Sequence, residues 1–391
     1  FSLDFAQAYL SLDSRFGSQG MAYFQFSDII GDHKIYLASE MQVDFKMSDY
    51  YILYRYLPYK IDWNFSFYHL GYPYDSGERI LLEDGFYWPV IELYQDLGAY
   101  VTSSRPISRF QRIDLGLDLN VVTKSKESPV IGAYDIYYNS NLLSKNYSVV
   151  PEAKYVWDNT IGFSTYPSSG SRYYVEYKAL PLIPTLVTNY INFNQNYNFH
   201  KVSFDYRKYF DIGSGISFAS RIFLGSIWGD NTPTYRLGGV PMWIYPLENR
   251  INESQPSVES LYVAEYLMPA RGFSISQKSG TRALLLNHEF RLPFLIYYFP
   301  AIQFLGQLNG VFFLDVGSIW NNQFLSPFQK QNWSNSNKEG WIMSIGFGPR
   351  FIFLGFPWKL DFAWQVNPYH NWNELDLTSD MKWYLSIGLD F

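Results

Sequence analysis

Between Ile113 and Val121 the chain reads Ile-Asp-Leu-Gly-Leu-Asp-Leu-Asn-Val, with every odd position apolar and every even one polar or glycine. The same period of two returns in Trp358–Val366 and again in Trp383–Phe391. Alternation of this kind belongs to an extended strand with one greasy and one wet face. About nine residues at roughly 3.3 Å each, tilted near 45°, are enough to cross a bilayer. Carboxylates recur on the wet face, where the dry core of a sandwich would penalise them heavily and a water-filled barrel would not.

The pattern predicts an all-β fold: a 16-stranded antiparallel transmembrane β-barrel with a long infolded extracellular loop. The strands are expected at about 20–29, 35–45, 49–57, 61–72, 88–102, 108–122, 131–140, 153–166, 171–180, 198–211, 215–228, 281–292, 306–319, 341–354, 357–367 and 381–391. Residues 20–391 then form the barrel, and residues 1–19 a lead-in or a linker from a possible missing N-terminal domain. If the first strand runs upward, 46–48 and 355–356 become periplasmic turns, and 229–280, 320–340 and 368–380 lie outside. The longer piece 73–87 falls awkwardly on the periplasmic side. Trp63, Tyr68, Trp88, Trp341, Trp358 and Trp364 are expected in interfacial girdles.

Composition narrows the class. Aromatic residues make up 20% of the 391 positions, more than a packed interior needs and in keeping with an apolar exterior rimmed by rings. A mean hydropathy of -0.16, with no apolar run of about 18 residues, excludes a bundle of membrane helices. The absence of cysteine fits an envelope compartment, and a net charge of -6 without a basic stripe gives no reason to expect nucleic acid. The sequence begins at Phe1 without an export signal, as expected of a mature chain or of a piece of a longer one. His33, His69, His200, His288 and His370 lie on separate segments without metal-ligand spacing, and neither a nucleophile motif nor a phosphate-binding glycine loop is present. No metal, no cofactor and no enzymatic activity are expected.

The loop over 229–280 is the exception to the regular pattern. At about 50 residues it far exceeds the roughly 12–15 beyond which loops are uncommon. It carries Leu237-Gly238-Gly239 and, near its end, Pro269-Ala270-Arg271-Gly272-Phe273. The strand at 281–292 puts Asn287, Glu289 and Arg291 on one face, and Phe312-Phe313-Leu314-Asp315-Val316-Gly317 turns Asp315 and Gly317 inward. Two lumen carboxylates on adjacent strands invite a guanidinium, whose planar fork can serve both. An infolded loop would deliver Arg271, Gly272 would permit the tight turn, and Gly317 would leave room opposite it. Glu289 and Asp315 could also form an acid/base pair, but the arginine partner favours a structural role.

An arginine-glycine-aromatic tip in the long loop between the eleventh and twelfth of sixteen strands, followed by Phe313-x-Asp315-x-Gly317, resembles the BamA-type outer-membrane assembly superfamily, also called bacterial surface antigen. That resemblance implies a latch of Arg271, Gly272 and Phe273 on Asp315 and Gly317, with Glu289 as second acceptor. Ala270 departs from the family's usual aliphatic residue there. The stretches Leu237-Gly238-Gly239 and Phe26–His33 resemble a subgroup with a TolB-like propeller before the barrel. A terminal aromatic on an alternating strand, here Phe391, resembles the sorting signal of outer-membrane barrels. The resemblance also implies a Gram-negative outer membrane, with the lipid bilayer and lipopolysaccharide around the barrel. Function is implied in protein insertion or translocation through a lateral seam between the first and last strands, 20–29 and 381–391. Gly388 is a place where that seam could fray. Client outer-membrane proteins are the implied partners. A scaffold barrel bound to other envelope-complex subunits and a passive channel are the alternatives.

Overall fold

A computed structural model describes residues 1–13, 17–41, 45–131, 136–163, 166–180, 198–230, 232–241, 243–245, 265–293, 308–321, 340–353, 356–366 and 381–388. Among them, sixteen long strands follow one another in a single antiparallel meander. They are β1 (Ser2–Asp13), β2 (Gly17–Ser27), β3 (His33–Met41), β4 (Asp49–Tyr56), β5 (Asp62–Leu81), β6 (Tyr87–Ser108), β7 (Gln111–Ile131) and β8 (Ile136–Asp158). The second half comprises β9 (Tyr166–Leu180), β10 (Asn198–Gly213), β11 (Ile216–Asp230), β12 (Arg282–Leu292), β13 (Asn309–Trp320), β14 (Gly340–Phe353), β15 (Phe356–Gln365) and β16 (Lys382–Ile387). Two short strands join the same sheet, Ile161–Phe163 beside β9 and Trp243–Tyr245 beside β16. Among the described residues, no helix is long and apolar enough to cross a membrane.

The two faces separate as the alternation requires. On β7, Ile113, Leu115, Leu117 and Leu119 are exposed, whereas Asp114 and Asp118 point to the other side. There Asp118 accepts a hydrogen bond from the Tyr68 hydroxyl at 2.9 Å. Tyr68 therefore sits on the polar inner face and not in an interfacial girdle. Gly98 makes this possible, since a Cβ there would lie 2.2 Å from the Tyr68 ring.

Three expectations about the strands need correction. Residues 1–19 are not a lead-in: they hold β1 and the start of β2, paired from Ser2↔Ser27 to Asp13↔Gly17. The period of two is hidden because the register slips between Leu3 and Phe5, and a bulge exchanges the faces. Segments 131–140 and 153–166 are not two strands, because β8 runs unbroken from the second half of the one into the first residues of the other. Its ladder with β7 slips between Lys124 and Ser125, leaving the neighbours Leu142 and Leu143 both exposed, so the alternation fails in mid-strand. Counting β1 also exchanges the ends of β2 to β7, while the merger into β8 leaves those of the later strands as expected. Because antiparallel strands alternate direction, 42–48 and 82–86 fall at the same end as 231–281, 321–339 and 366–381. The segment 46–48 is thus not a turn of the opposite end, and the awkward length of 73–87 disappears into long strands at the long-loop end.

The edge strands differ from expectation in the same way. The first strand of the meander is β1, so the expected seam partner 20–29 is the second strand. Among the described residues β1 pairs with β2 but not with β16.

Candidate functional site

The loop between β11 and β12 folds onto the inner face of the sheet. Tyr235–Leu237 pairs parallel with Glu265–Leu267 and antiparallel with Lys278–Gly280, forming a small three-stranded sheet of its own. Tyr235, Leu237, Leu267, Ala270 and Phe273 are buried against Phe223 and Ile227 of β11, Ala283 and Leu285 of β12, Ile319 of β13 and Ile342 of β14. The inner face is therefore apolar where the loop covers it. Two glycines shape the seat. A Cβ on Gly225 would lie 2.5 Å from the Tyr235 ring, and one on Gly317 would lie 2.6 Å from Leu237 Cδ2. Gly317 leaves room for Leu237, then, and not for Gly272 as expected. Gly272 instead faces Ser344, Ala363 and Gln365, and its φ of +87° is the conformation that a side chain disfavours.

Beside this apolar seat lies a charged cluster. Arg271 is 1% exposed, Glu289 1% and Asp315 2%. Arg271 Nε donates to Asp315 Oδ2 at 2.7 Å and Nη2 to Asp315 Oδ1 at 2.8 Å, a bidentate fork. Its Nη1 donates to Glu289 Oε1 at 2.9 Å, and its backbone N–H donates to Asp315 Oδ2 at 3.1 Å. The guanidinium carbon stands 3.7 Å from the centre of the Phe313 ring, a cation–π contact. A Cβ on Gly346 would lie 2.3 Å from that ring, so Gly346 is what lets it lie there.

Several members of the cluster were not assigned from sequence. Arg291 donates to Glu289 Oε2 from Nε at 3.0 Å and from Nη2 at 2.8 Å. Asn287 Nδ2 bridges Asp315 Oδ1 at 2.7 Å and the Pro269 carbonyl at 2.8 Å. Asp361 Oδ1 lies 2.8 Å from Arg350 Nη2 and 4.0 Å from Arg271 Nη1. Three arginines thus face three carboxylates, so the buried array is neutral as a whole. The available signal was the strand period itself, which sets Asn287, Glu289 and Arg291 on one face and carries Asp361 inward from an alternating stretch.

Further tethers extend the loop's hold. Gln365 Nε2 donates to the Gly272 carbonyl at 2.7 Å, and the Tyr384 hydroxyl donates to the Phe273 carbonyl at 3.4 Å. Arg221, paired with Asp205, donates to the Met268 carbonyl at 2.7 Å. Lys201 pairs with Glu265. Among the described residues, the loop's contacts fall on the inner face of β10 to β16. Against the earlier strands a cavity of about 660 Å³ remains, lined by Tyr23, Tyr36, Tyr51, Tyr100, Arg55 and Arg112 among others.

Of the two seam residues, Gly388 adopts φ +133° and its N–H donates to the Pro357 carbonyl at 2.9 Å, so the contact with β15 persists one residue beyond β16. Phe391 lies outside the described residues.

An antiparallel meander, greasy outside and polar inside, with a loop anchored to its inner face, is the architecture of outer-membrane barrels. Solved structures share the fold. BamA from Haemophilus ducreyi lacking POTRA domains 1–3 superposes with a TM-score of 0.61 at 13% identity, over 99% of this chain and 70% of that one. CdiB from Escherichia coli gives 0.55 at 11% identity, over 98% of this chain and 61% of that one. CdiB from Acinetobacter baumannii gives 0.54 at 13% identity, over 99% and 59%. No protein-family profile and no curated protein matches the chain.

Proposed function

We propose that the chain is a 16-stranded transmembrane β-barrel of the BamA-type superfamily, set in the Gram-negative outer membrane. It acts in the insertion or translocation of outer-membrane proteins, and it is not an enzyme. The observation that carries this reading is the loop folded onto the inner wall and held by Arg271 on Asp315 and Glu289, as the resemblance implies. The latch fixes the loop while β1 and β16 do not pair with one another among the described residues, and the edge of a strand is a template for an incoming strand. A fully buried ion array is a better device for holding one geometry than for adding net stability.

In this reading the ends carrying 231–281 and 321–339 lie outside the cell, and the exposed leucines of β7 face lipid and lipopolysaccharide. The TolB-like propeller subgroup is a finer proposal, resting on Leu237-Gly238-Gly239 and Phe26–His33. The first of these already has a local task in seating the loop. In the second, Asp28 Oδ1 accepts hydrogen bonds from the N–H groups of Gly31 and His33. Depletion in the native host, followed by quantitative proteomics of the outer membrane, tests the function. A concerted fall of other barrels is expected. Unchanged barrels, with loss of the partners of one complex only, would replace this reading by that of a scaffold.

A further inference from the structure

The connection between β8 and β9, at the end opposite the long loops, does not stay in the wall. The ladder of β9 with β10 starts at Gly170↔Tyr209. The residues before it pair instead with the short strand Ile161–Phe163, as Tyr166↔Phe163 and Ser169↔Ile161. Gly170 marks the departure: its φ is +94°, and a Cβ there would lie 2.4 Å from the Asn159 carbonyl oxygen. From that point the hairpin crosses the inner face, and β9 touches β11, which is not its neighbour in the sheet. It reaches β12, where Arg291 Nη1 donates to the Pro167 carbonyl at 3.2 Å. The same guanidinium carbon stands 4.8 Å from the centre of the Tyr166 ring, a cation–π contact. On this stretch of the inner face Tyr209, Ser217, Ala219 and Arg291 are all buried.

Arg291 also belongs to the charged cluster. It grips Glu289 Oε2 from Nε and Nη2, while Glu289 Oε1 receives Arg271 Nη1 from the long loop. One carboxylate therefore carries the loop tip on one oxygen and, on the other, the arginine that holds the hairpin. We infer that the β8–β9 hairpin is a second inward closure, at the mouth opposite the long loops, and that Glu289 couples it to the loop latch. Loosening either closure loosens the other. A charged donor on each oxygen fixes the carboxylate in plane and rotamer, and withdrawing one frees it to turn. Arg291 is fully buried, so its guanidinium has no water to turn to and follows Glu289. In the reading proposed above, a client arriving at the hairpin's end displaces the hairpin first and so releases the loop. That last step rests on the proposed function; the coupling does not.

Two readouts on the folded full chain follow the two closures separately. The chain contains no cysteine, so S217C reports without background; Ser217 is buried and directly opposite Arg291 in the ladder of β11 with β12. Its alkylation by a small water-soluble maleimide reads opening of the hairpin. Trypsin cutting after Arg236 and Lys278, both buried in the loop's small sheet, reads undocking of the loop. Tyr166→Ala should speed alkylation of S217C, and an unchanged rate would overturn the closure itself. Arg271→Ala, at the loop tip, should speed alkylation of S217C about tenfold, within the range usual for coupled sites. Tyr166→Ala should speed both trypsin cuts by the same factor, because coupling is reciprocal. In a Glu289→Gln background, adding Arg271→Ala should change alkylation no further.

Faster trypsin cutting in R271A with parental alkylation of S217C would overturn the coupling, leaving two independent closures. Should R271A fail to fold, judged by heat-modifiable gel mobility, R271K carries the same test, since it keeps the charge and loses the fork. Neither readout needs insertion activity, so the two readings fail separately. If coupling is measured while depletion leaves other barrels unchanged, the functional reading falls and the coupling stands. If depletion lowers other barrels while R271A leaves S217C unaffected, the coupling falls and the functional reading stands.

Discussion

Replacing Arg271 with alanine removes three charge-assisted hydrogen bonds at once: two to Asp315 and one to Glu289. Neither carboxylate is left bare. Glu289 keeps both contacts from Arg291, and Asp315 keeps Asn287 and the backbone N–H of residue 271. Taking one partner from a buried ion pair costs about 3–5 kcal/mol, and the retained partners place this case near the lower end, about 3 kcal/mol. At 1.4 kcal/mol per decade, that raises the undocked population of the loop about 100-fold. Limited trypsin digestion of the folded protein reads this population, because cleavage tracks the open fraction when reclosing is fast. Arg236 and Lys278, both buried in the loop's small sheet, are the reporting sites. Cutting after both is expected to accelerate about 100-fold in R271A. R271K, which keeps the charge but loses the fork, should fall between R271A and the parent. Wild-type rates at both sites in folded R271A would refute the reasoning, because the apolar seat would then be holding the loop unaided.

Other perturbations probe separate links. Gly272→Ala should destabilise the docked loop by about 1–2 kcal/mol through its φ alone, read as faster cutting at the same two sites. Gly317→Ala should undock the loop by driving a Cβ into Leu237, and Leu237→Ala should restore part of the loss. Simple additivity in that double-mutant cycle would rule the contact out. Asp28 lies in the turn between β2 and β3, where the N–H of His33 first, and then that of Gly31, hold its carboxyl below the usual range. Because the folded value is the lower one, its contribution is complete above the ordinary carboxylate value of about 3.9 and is lost as pH falls through the lowered one. Hydrogen exchange at the Gly31 and His33 amides should therefore show more opening at low pH, and Asp28→Asn should abolish that dependence.

The parts of the fold that were legible in the sequence are those where local pattern and tertiary environment agree. Ile113–Val121 alternates because one of its faces is exposed and the other carries the polar groups of the interior. Where a bulge intervenes, as between Leu3 and Phe5 or opposite Ser125, the period changes phase and the pattern vanishes although the strand continues. The charged side of the candidate site was readable for a related reason: Glu289 and Asp315 sit at inward positions of adjacent strands, and a long loop offers one arginine beside a glycine. The apolar side was not. Leu285, Ile319 and Phe223 occupy the same inner face as the carboxylates, and only the docked loop makes that face a place for hydrophobic residues. A sequence period reports which face a residue occupies, not what will cover it. The role of Gly317 was misassigned for the same reason, because its neighbour Leu237 is distant in sequence and arrives only when the loop folds.

The latch and the edge of the sheet meet in one loop. Residues 271–273 hold Asp315 and Glu289 through the guanidinium, Gln365 of β15 through the Gly272 carbonyl, and Tyr384 of β16 through the Phe273 carbonyl. Residues 243–245 of the same loop pair with β16 one and two positions further along, at Leu385 and Ser386. The tip is thus bonded to the strand whose edge the loop also covers, so moving β16 strains the carbonyl contacts of the tip, and releasing the tip removes a restraint on β16. Coupling of this kind requires a physically continuous element with two arrangements, and the loop provides one continuous chain between the two points. The neutral array of three arginines and three carboxylates then has a mechanical sense. Directional charge-assisted bonds fix the tip in a single geometry, and through the Gly272 and Phe273 carbonyls that geometry is passed to β15 and β16.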